Sequence, residues 1–295
     1  MSLNIFNLWF FIFNLWYVSL QYSFLEYRYI FPFSSIVLFL LFLVWPFHCF
    51  YFSLRLALFK SLRNCFYPIG AHAVKFRDFM FGDMLTSLTP TLNTFTLMIC
   101  LMSCSECLQN DERRECKRHD VPGLIANILP FAIRFFQCLN RYYYTKMAWP
   151  NLANAAKYSG GIIFTVLNWY CSTTHRNWVI LVGIINCSYF YYWDIILDWD
   201  LGYFKTKHFF LREKLLYPVI FYYFALISNL ILRYIWLINM FIPSNPNYDE
   251  MKILVFGILE MYRRIQTVLL RTENENQNNF EKYRTFLEIP DLPVD

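Results

Sequence analysis

Runs of apolar side chains, each long enough to cross a bilayer, recur from one end of this chain to the other. By the requirement of roughly 20 apolar residues per helical crossing, about eight segments qualify: 5–21, 34–54, 79–104, 124–139, 153–171, 178–197, 215–240 and 253–270. The fourth is short and carries Arg134. Lipid offers backbone amides no hydrogen-bonding partner, so only helices or closed barrels can span it. Barrel strands would be short and alternating, whereas these runs are continuous. The expected fold class is therefore all-α, a polytopic membrane helix bundle of about eight transmembrane helices. Composition agrees: 57% of the residues are hydrophobic and 16% charged, against about 45–50% and 25% in soluble domains. Tyr and Trp gather near the ends of the runs, as interfacial belts require.

The charges inside the runs carry the functional signal. Glu260, Arg263 and Arg264 fall within the last run. A charge at the centre of a bilayer costs about 3 kcal/mol even on the lenient insertion scale. At helical spacing the three share one face, which must look into protein or a wet cavity. An internal ion pair would explain Glu260 with one arginine and leave the second without a carboxylate. Arg134, Lys157 and Arg233 add cations in other runs, and Asp83 and Asp194 add acids. Cations outnumber carboxylates. Guanidinium forks bind phosphate or carboxylate in bidentate fashion and stay charged at any working pH, and a positive lining selects anions. The residues thus describe a pathway for a small oxyanion, with acids fixing the arginine rotamers.

Asp194 and Asp198 are four apart and are expected on one helix face at the end of the sixth run. They suit cation coordination, proton carriage or pairing with Arg and Lys from other helices. Asp83 and Ser87 are likewise four apart, and Arg233 and Trp236 three apart.

Basic residues concentrate in alternate connections: Arg55, Lys60, Arg63, Lys75 and Arg77; then Arg141 and Lys146; then Lys205, Lys207, Arg212 and Lys214. By the positive-inside rule this places those loops, and both termini, in the cytosol. The net charge of +5 suits such a cytosolic edge better than a nucleic-acid partner. Segment 54–67 sets Leu56, Leu58, Phe59 and Leu62 against Arg55, Lys60 and Arg63, the pattern of an amphipathic helix lying on the membrane surface or of an ordinary linker. The N-terminus lacks the basic region and small-residue site of a cleavable signal and is expected to persist as the first helix.

Most of the nine cysteines lie in apolar runs, where a reduced thiol acts as a small hydrophobe. Cys104-x-x-Cys107 with Cys116-x-x-His119 has zinc-like spacing, but in a luminal or external loop a disulfide between two of these cysteines is favoured. Asn186-Cys187-Ser188 matches a glycosylation acceptor, silenced by its place inside a run. No P-loop, HExxH or GxSxG is present. No enzymatic activity, cofactor or metal is expected.

The same residues resemble the EXS family of phosphate exporters. The resemblance runs from about residue 66 to 290 and rests on Phe76-Arg77-Asp78-Phe79 with Gly82-Asp83-Met84-Leu85-Thr86-Ser87-Leu88, on Arg134-Phe135-Phe136-Gln137-Cys138-Leu139, and on Asn154-Ala155-Ala156-Lys157-Tyr158-Ser159. It continues through Trp193-Asp194 with Asp198-Trp199, Leu211-Arg212-Glu213, Arg233 with Trp236, Glu260 with Arg263-Arg264, and Arg271-x-Glu273-Asn274-Glu275 leading to Tyr283-Arg284. Met84, Asn276 and Glu281 depart from the residues usual in the family. The resemblance implies inorganic phosphate as substrate. It places Asp83, Arg134, Lys157, Asp194, Arg233, Arg263 and Arg264 along the phosphate path, and Asp198, Trp236 and Glu260 as gate or support residues.

The domains expected are a two-helix membrane segment with its linker over 1–65, the EXS-like membrane domain over 66–290 and a short tail over 291–295. Without the soluble SPX domain that some relatives carry, the chain resembles the Golgi branch, which implies multi-pass residence in the Golgi membrane. The alternatives are the endoplasmic reticulum or the plasma membrane. In that branch phosphate released by lumenal glycosyltransferases returns to the cytosol, which supports glycosylation and the retention of Golgi and endoplasmic-reticulum residents. The partners implied are phosphate, the lipid bilayer, Golgi glycosyltransferases and a second copy of the chain. The competing reading is a sorting receptor or adaptor for Golgi enzymes, its buried charges purely structural.

Overall fold

The computed structural model describes most of residues 51–100, then 121–171, 175–241 and 246–287, with isolated positions before 51. Among the described residues the regular elements are all helical. In chain order they are α1 (Phe52–Cys65), α2 (Phe76–Ser87), α3 (Val121–Thr145), α4 (Ala148–Cys171), α5 (Arg176–Trp193) continued by a π-helical turn (Asp194–Asp198), α6 (Val219–Arg233), α7 (Ile235–Phe241) and α8 (Pro246–Leu287). They divide into two compact units: Met1–Tyr67 with Met98–Lys117, and Pro68–Leu97 with Arg118–Asp295. The expected first span, most of the second and the Cys104–His119 motif lie outside the described residues.

In the first unit, α1 forms a helix where 54–67 was expected, with its apolar residues outward as a membrane-surface helix requires, Lys60 and Arg63 exposed, and Arg55 alone of the three basic residues turned inward. Leu54, Leu56, Leu58, Phe59 and Leu62 are exposed, while Arg55, Ser61 and Cys65 are buried. The Arg55 guanidinium donates to the Trp45 carbonyl at 2.6 Å instead of lying in solvent. Cys100 is disulfide-bonded, against the expectation of reduced thiols within the runs. Cys65, Cys138, Cys171 and Cys187 are free.

The second unit is inside-out by the standard of a water-soluble protein. On α3 the buried positions include Arg134, Gln137 and Asn140, while Ile125, Leu129 and Phe136 face outward. On α4, Asn151, Asn154, Lys157 and Tyr158 are buried, while Ile163, Val166 and Trp169 are exposed. An outer apolar shell around an inner polar seam is what lipid as solvent demands. Three helices among the described residues are long and apolar enough to cross a membrane: Val121–Thr145, Arg176–Asp198 and Val219–Ile238. By that measure the expected count of about eight is not reached among the described residues.

Several boundaries differ from expectation. The short fourth run becomes the 25-residue α3, which continues past its apolar stretch through polar residues. The third run is interrupted, since α2 stops at Ser87 with Leu88 closing a tight turn onto the Leu85 carbonyl. The seventh breaks at Tyr234, whose N–H turns back to Ile231 at 3.2 Å. The last run is part of one 42-residue helix, α8.

α3 packs along α4, α4 on α5, and α2 on α3, while α8 lies against α2, α6 and the π-turn. Close approach of α3 and α4 depends on Gly161, where a Cβ would sit 2.8 Å from the Phe131 ring. The irregular segment after the π-turn folds over an apolar core of Ile195, Trp199, Leu201, Leu211, Tyr222, Ala225 and Leu270. Arg212, counted above as a cytosolic loop charge, is buried and pairs with Glu273 of α8 at 2.6 Å.

Candidate functional site: a seam of buried guanidiniums

One stripe of α8 organises the site. Arg263, Thr267, Arg271 and Asn274 are buried at spacings of four, four and three, so they stack along one side of the helix. That side meets α2, the π-turn and α6.

At one end of the seam, Asp83 of α2 gathers three partners. Its Oδ1 accepts the Tyr158 hydroxyl at 2.6 Å and faces Arg134 Nε at 3.1 Å, and its Oδ2 pairs with Arg271. Arg271 also reaches Asp198 Oδ2 at 3.4 Å. The Phe79 ring lies between the two guanidiniums, 3.6 Å from Arg134 and 4.3 Å from Arg271. Arg134, wholly inaccessible to solvent, further donates to Gln137 Oε1 at 2.6 Å and to the Tyr158 hydroxyl oxygen at 3.0 Å. Gly82 makes this approach possible: a Cβ there would lie 2.5 Å from Gln137 Oε1 and 2.8 Å from Arg134 Cδ.

At the other end, Asp194 Oδ2 holds Arg233, accepts from Asn229 at 3.1 Å and lies 3.9 Å from Arg263. Arg263 grips Glu260 with two parallel bonds, Nε to Oε2 at 2.8 Å and Nη2 to Oε1 at 2.5 Å. Arg264 turns to α2 instead. Its Nε donates to Ser87 Oγ at 2.5 Å and its Nη2 to Thr86 Oγ1 at 2.9 Å. Ser87 in turn donates to Glu260 Oε1 at 3.0 Å. The second arginine of the pair, left without a carboxylate by the simple ion-pair reading, is thus held mainly by hydroxyls, with Glu260 3.9 Å away. Trp236, three residues after Arg233, places its indole N–H on the Cys187 sulfur at 3.1 Å.

Between the two ends sits Lys157. It is buried, and its Nζ lies 4.6, 5.1 and 4.9 Å from the ring centres of Tyr158, Phe190 and Trp193. No carboxylate among the described residues comes within ion-pair distance of it. A desolvated ammonium faced by aromatic rings is stabilised by cation–π attraction and remains available to an anion.

All ten residues singled out by sequence, Asp83, Arg134, Lys157, Asp194, Asp198, Arg233, Trp236, Glu260, Arg263 and Arg264, therefore fall in one unit and border one seam. Asp194 and Asp198, expected to act on one face, instead serve opposite ends: Asp194 takes Arg233 and Arg263, and Asp198 takes Arg271. Sequence reasoning did not place Arg271, Tyr158, Asn229 or Thr86 in the site. Arg271 opens a polar stretch that has the composition of a solvated tail, yet it is 5% exposed. Its seven-residue offset from Arg264 was the available signal. With Arg271 and Asp198 included, six cations and four carboxylates line the seam among the described residues.

A cleft of about 400 Å³ opens elsewhere on this unit, lined by Phe76, Leu216, Tyr217, Leu269, Thr272, Glu273, Glu275 and Asn276.

The chain is similar to known proteins along most of its length. It is 33% identical over 293 residues to Solute carrier family 53 member 1 of Cricetulus griseus, covering 90% of this chain and 42% of that protein. It is 34% identical over 278 residues to the Xenotropic and polytropic retrovirus receptor 1 homolog of Xenopus laevis, covering 86% and 40%. It is 33% identical over 266 residues to Phosphate transporter PHO1 homolog 10 of Arabidopsis thaliana, covering 87% and 34%. The chain spans about two fifths of the length of the first relatives it matches. The model of the EXS family matches residues 1–277, and with the helical seam described above the chain belongs to the EXS family.

Proposed function

We propose that the chain conducts inorganic phosphate across a membrane along the guanidinium seam. The observation that carries this reading is the imbalance of charge along the largely buried seam: six cations face four carboxylates. Buried charge is costly unless paired, and an oxyanion with one or two negative charges offsets the excess. Arg233, Arg263 and Arg264 converge at one end, Arg134 and Arg271 at the other, and Lys157 stands between. Phosphate passes from one end to the other by exchanging with Glu260, Asp194 and Asp83 as partners of the guanidiniums. The carboxylates hold the arginine rotamers when no phosphate is present. Trp236 acts as a gate at the Arg233 end. The name of the Arabidopsis relative, a phosphate transporter, supports the substrate.

The membrane proposed is that of the Golgi, with flux from lumen to cytosol and both termini cytosolic. Glycosyltransferases there supply the phosphate, so glycosylation and the retention of resident proteins depend on the flux. The test is labelled-phosphate uptake into proteoliposomes. Wild-type protein carries flux; Arg263→Ala abolishes it while the helical circular-dichroism signal is retained. Unchanged flux in Arg263→Ala removes the site assignment. No flux from wild-type protein favours an adaptor whose charges are structural.

A further inference from the structure

α6 carries Arg233 at its last residue and then breaks at Tyr234, and α7 begins immediately after. Two side chains flanking Ile235 are tied to neighbouring residues of α5. The Trp236 indole N–H meets the Cys187 sulfur at 3.1 Å, and the Tyr234 hydroxyl shares a 2.6 Å hydrogen bond with Ser188. The indole also packs edge-on against Phe164 of α4, with ring centres 5.3 Å apart. The space it occupies exists because position 183 has no side chain. A Cβ on Gly183 would lie 2.7 Å from Trp236 Cζ2 and 2.7 Å from Phe164 Cε2, closer than carbon atoms approach. Both atoms belong to flat rings already in contact, so neither can withdraw without moving the other.

Gly183 sits on α5 one turn before Cys187, and both lie beneath the same indole. We propose that Gly183, Cys187 and Phe164 form a seat that fixes Trp236 and, through the Tyr234 break, the direction of Arg233; Gly183 is a positioning residue for the seam. The proposal rests on the reading of Arg233 and Trp236 as part of an oxyanion path. It adds that the indole leaves its seat as a unit, and that leaving uncovers the Cys187 thiol. Cys187 precedes Asp194 by seven residues, two turns along α5, so the thiol lies on the side of the helix that carries the partner of Arg233.

The test uses full-length protein in proteoliposomes and an anionic thiol probe, sulfonatoethyl methanethiosulfonate. Labelling is read at Cys187 by mass spectrometry of its peptide, because the chain has nine cysteines. Gly183→Ala is expected to raise Cys187 labelling several-fold and to lower phosphate flux. Adding Phe164→Leu to that variant removes the Phe164 contact and lets the indole slide into the space the ring leaves while keeping the Trp236 contact with Cys187, so both readouts are expected to return part-way towards wild type, which a generally loosened fold would not do. Trp236→Ala needs no space at position 183 and is expected to raise labelling by itself. Equal Cys187 labelling in wild type, Gly183→Ala and Trp236→Ala overturns the seat. If labelling follows the expected order while wild-type protein carries no phosphate, the seat stands and the transport reading falls.

Discussion

Arg271 and Asp83 stand 188 residues apart in the chain and form a buried ion pair. The pair clamps α8 to α2, and the Phe79 ring lies against the same guanidinium. Removing one partner of a buried pair leaves a charge without compensation, at a cost of about 3–5 kcal/mol. Arg271→Ala is therefore expected to lower the melting temperature in detergent by many degrees, followed by tryptophan fluorescence. The double variant Arg271→Met with Asp83→Leu is expected not to recover that loss, because it also leaves Arg134 without its carboxylate and Asp198 without its guanidinium.

Ser87 links Arg264 to Glu260 through one hydroxyl, accepting from the first and donating to the second. Ser87→Ala deletes both bonds and leaves Arg264 with Thr86 as its closest partner. Loss of a neutral partner in such a network costs about 1–2 kcal/mol. Flux in proteoliposomes should fall, but by less than in Arg263→Ala. Ser87→Thr, which keeps a hydroxyl, should retain more of it.

Gly82→Ala tests how tightly α2 meets α3. The new methyl would fall 2.5 Å from Gln137 Oε1 and 2.8 Å from Arg134 Cδ. Overpacking of this kind costs about 1–3 kcal/mol. Thermal unfolding should report that loss. Combining the change with Gln137→Ala should not restore stability, because Arg134 remains in the way and loses its Gln137 acceptor.

Glu273 ties α8 to the irregular segment before α6. Its Oε1 receives the Leu216 amide at 2.9 Å, the Tyr222 hydroxyl at 2.6 Å and Arg212 Nη2 at 2.6 Å. Glu273→Gln leaves Arg212 buried beside a neutral amide. Hydrogen exchange at the Leu216 amide should speed up by orders of magnitude, while exchange within α3 stays as in wild type. Equal exchange in both proteins would show that Arg212 alone does not hold this segment.

The helical class and the inward-facing charges were legible because the lipid-facing residues are uniformly apolar and the charges interrupt them. Glu260, Arg263 and Arg264 could be read from spacing alone. Arg271 was hidden by its surroundings. It opens a run of polar residues, Thr272 to Asn279, that has the composition of a solvated tail. Its burial depends on Asp83 and Asp198, which arrive from distant parts of the chain. The α2 end at Ser87 had a signal in Pro90, three residues on, whereas the Tyr234 break was unreadable, since it interrupts an apolar run with no Gly or Pro at the break. Arg212 looked like one more loop cation, because nothing local announces the Glu273 carboxylate that receives it.

Asp194 and Asp198 part company because the turn joining them is wider than an α-turn. The Trp199 amide closes onto the Asp194 carbonyl at 2.8 Å, five residues back, a geometry that amounts to one residue too many for its helix. A surplus residue can be subtracted. Excising Ile196 would rewind the turn, swing the second acid around the axis and strip Arg271 of one of its two anions, so the span of the whole charged relay is set by a single unit of chain length.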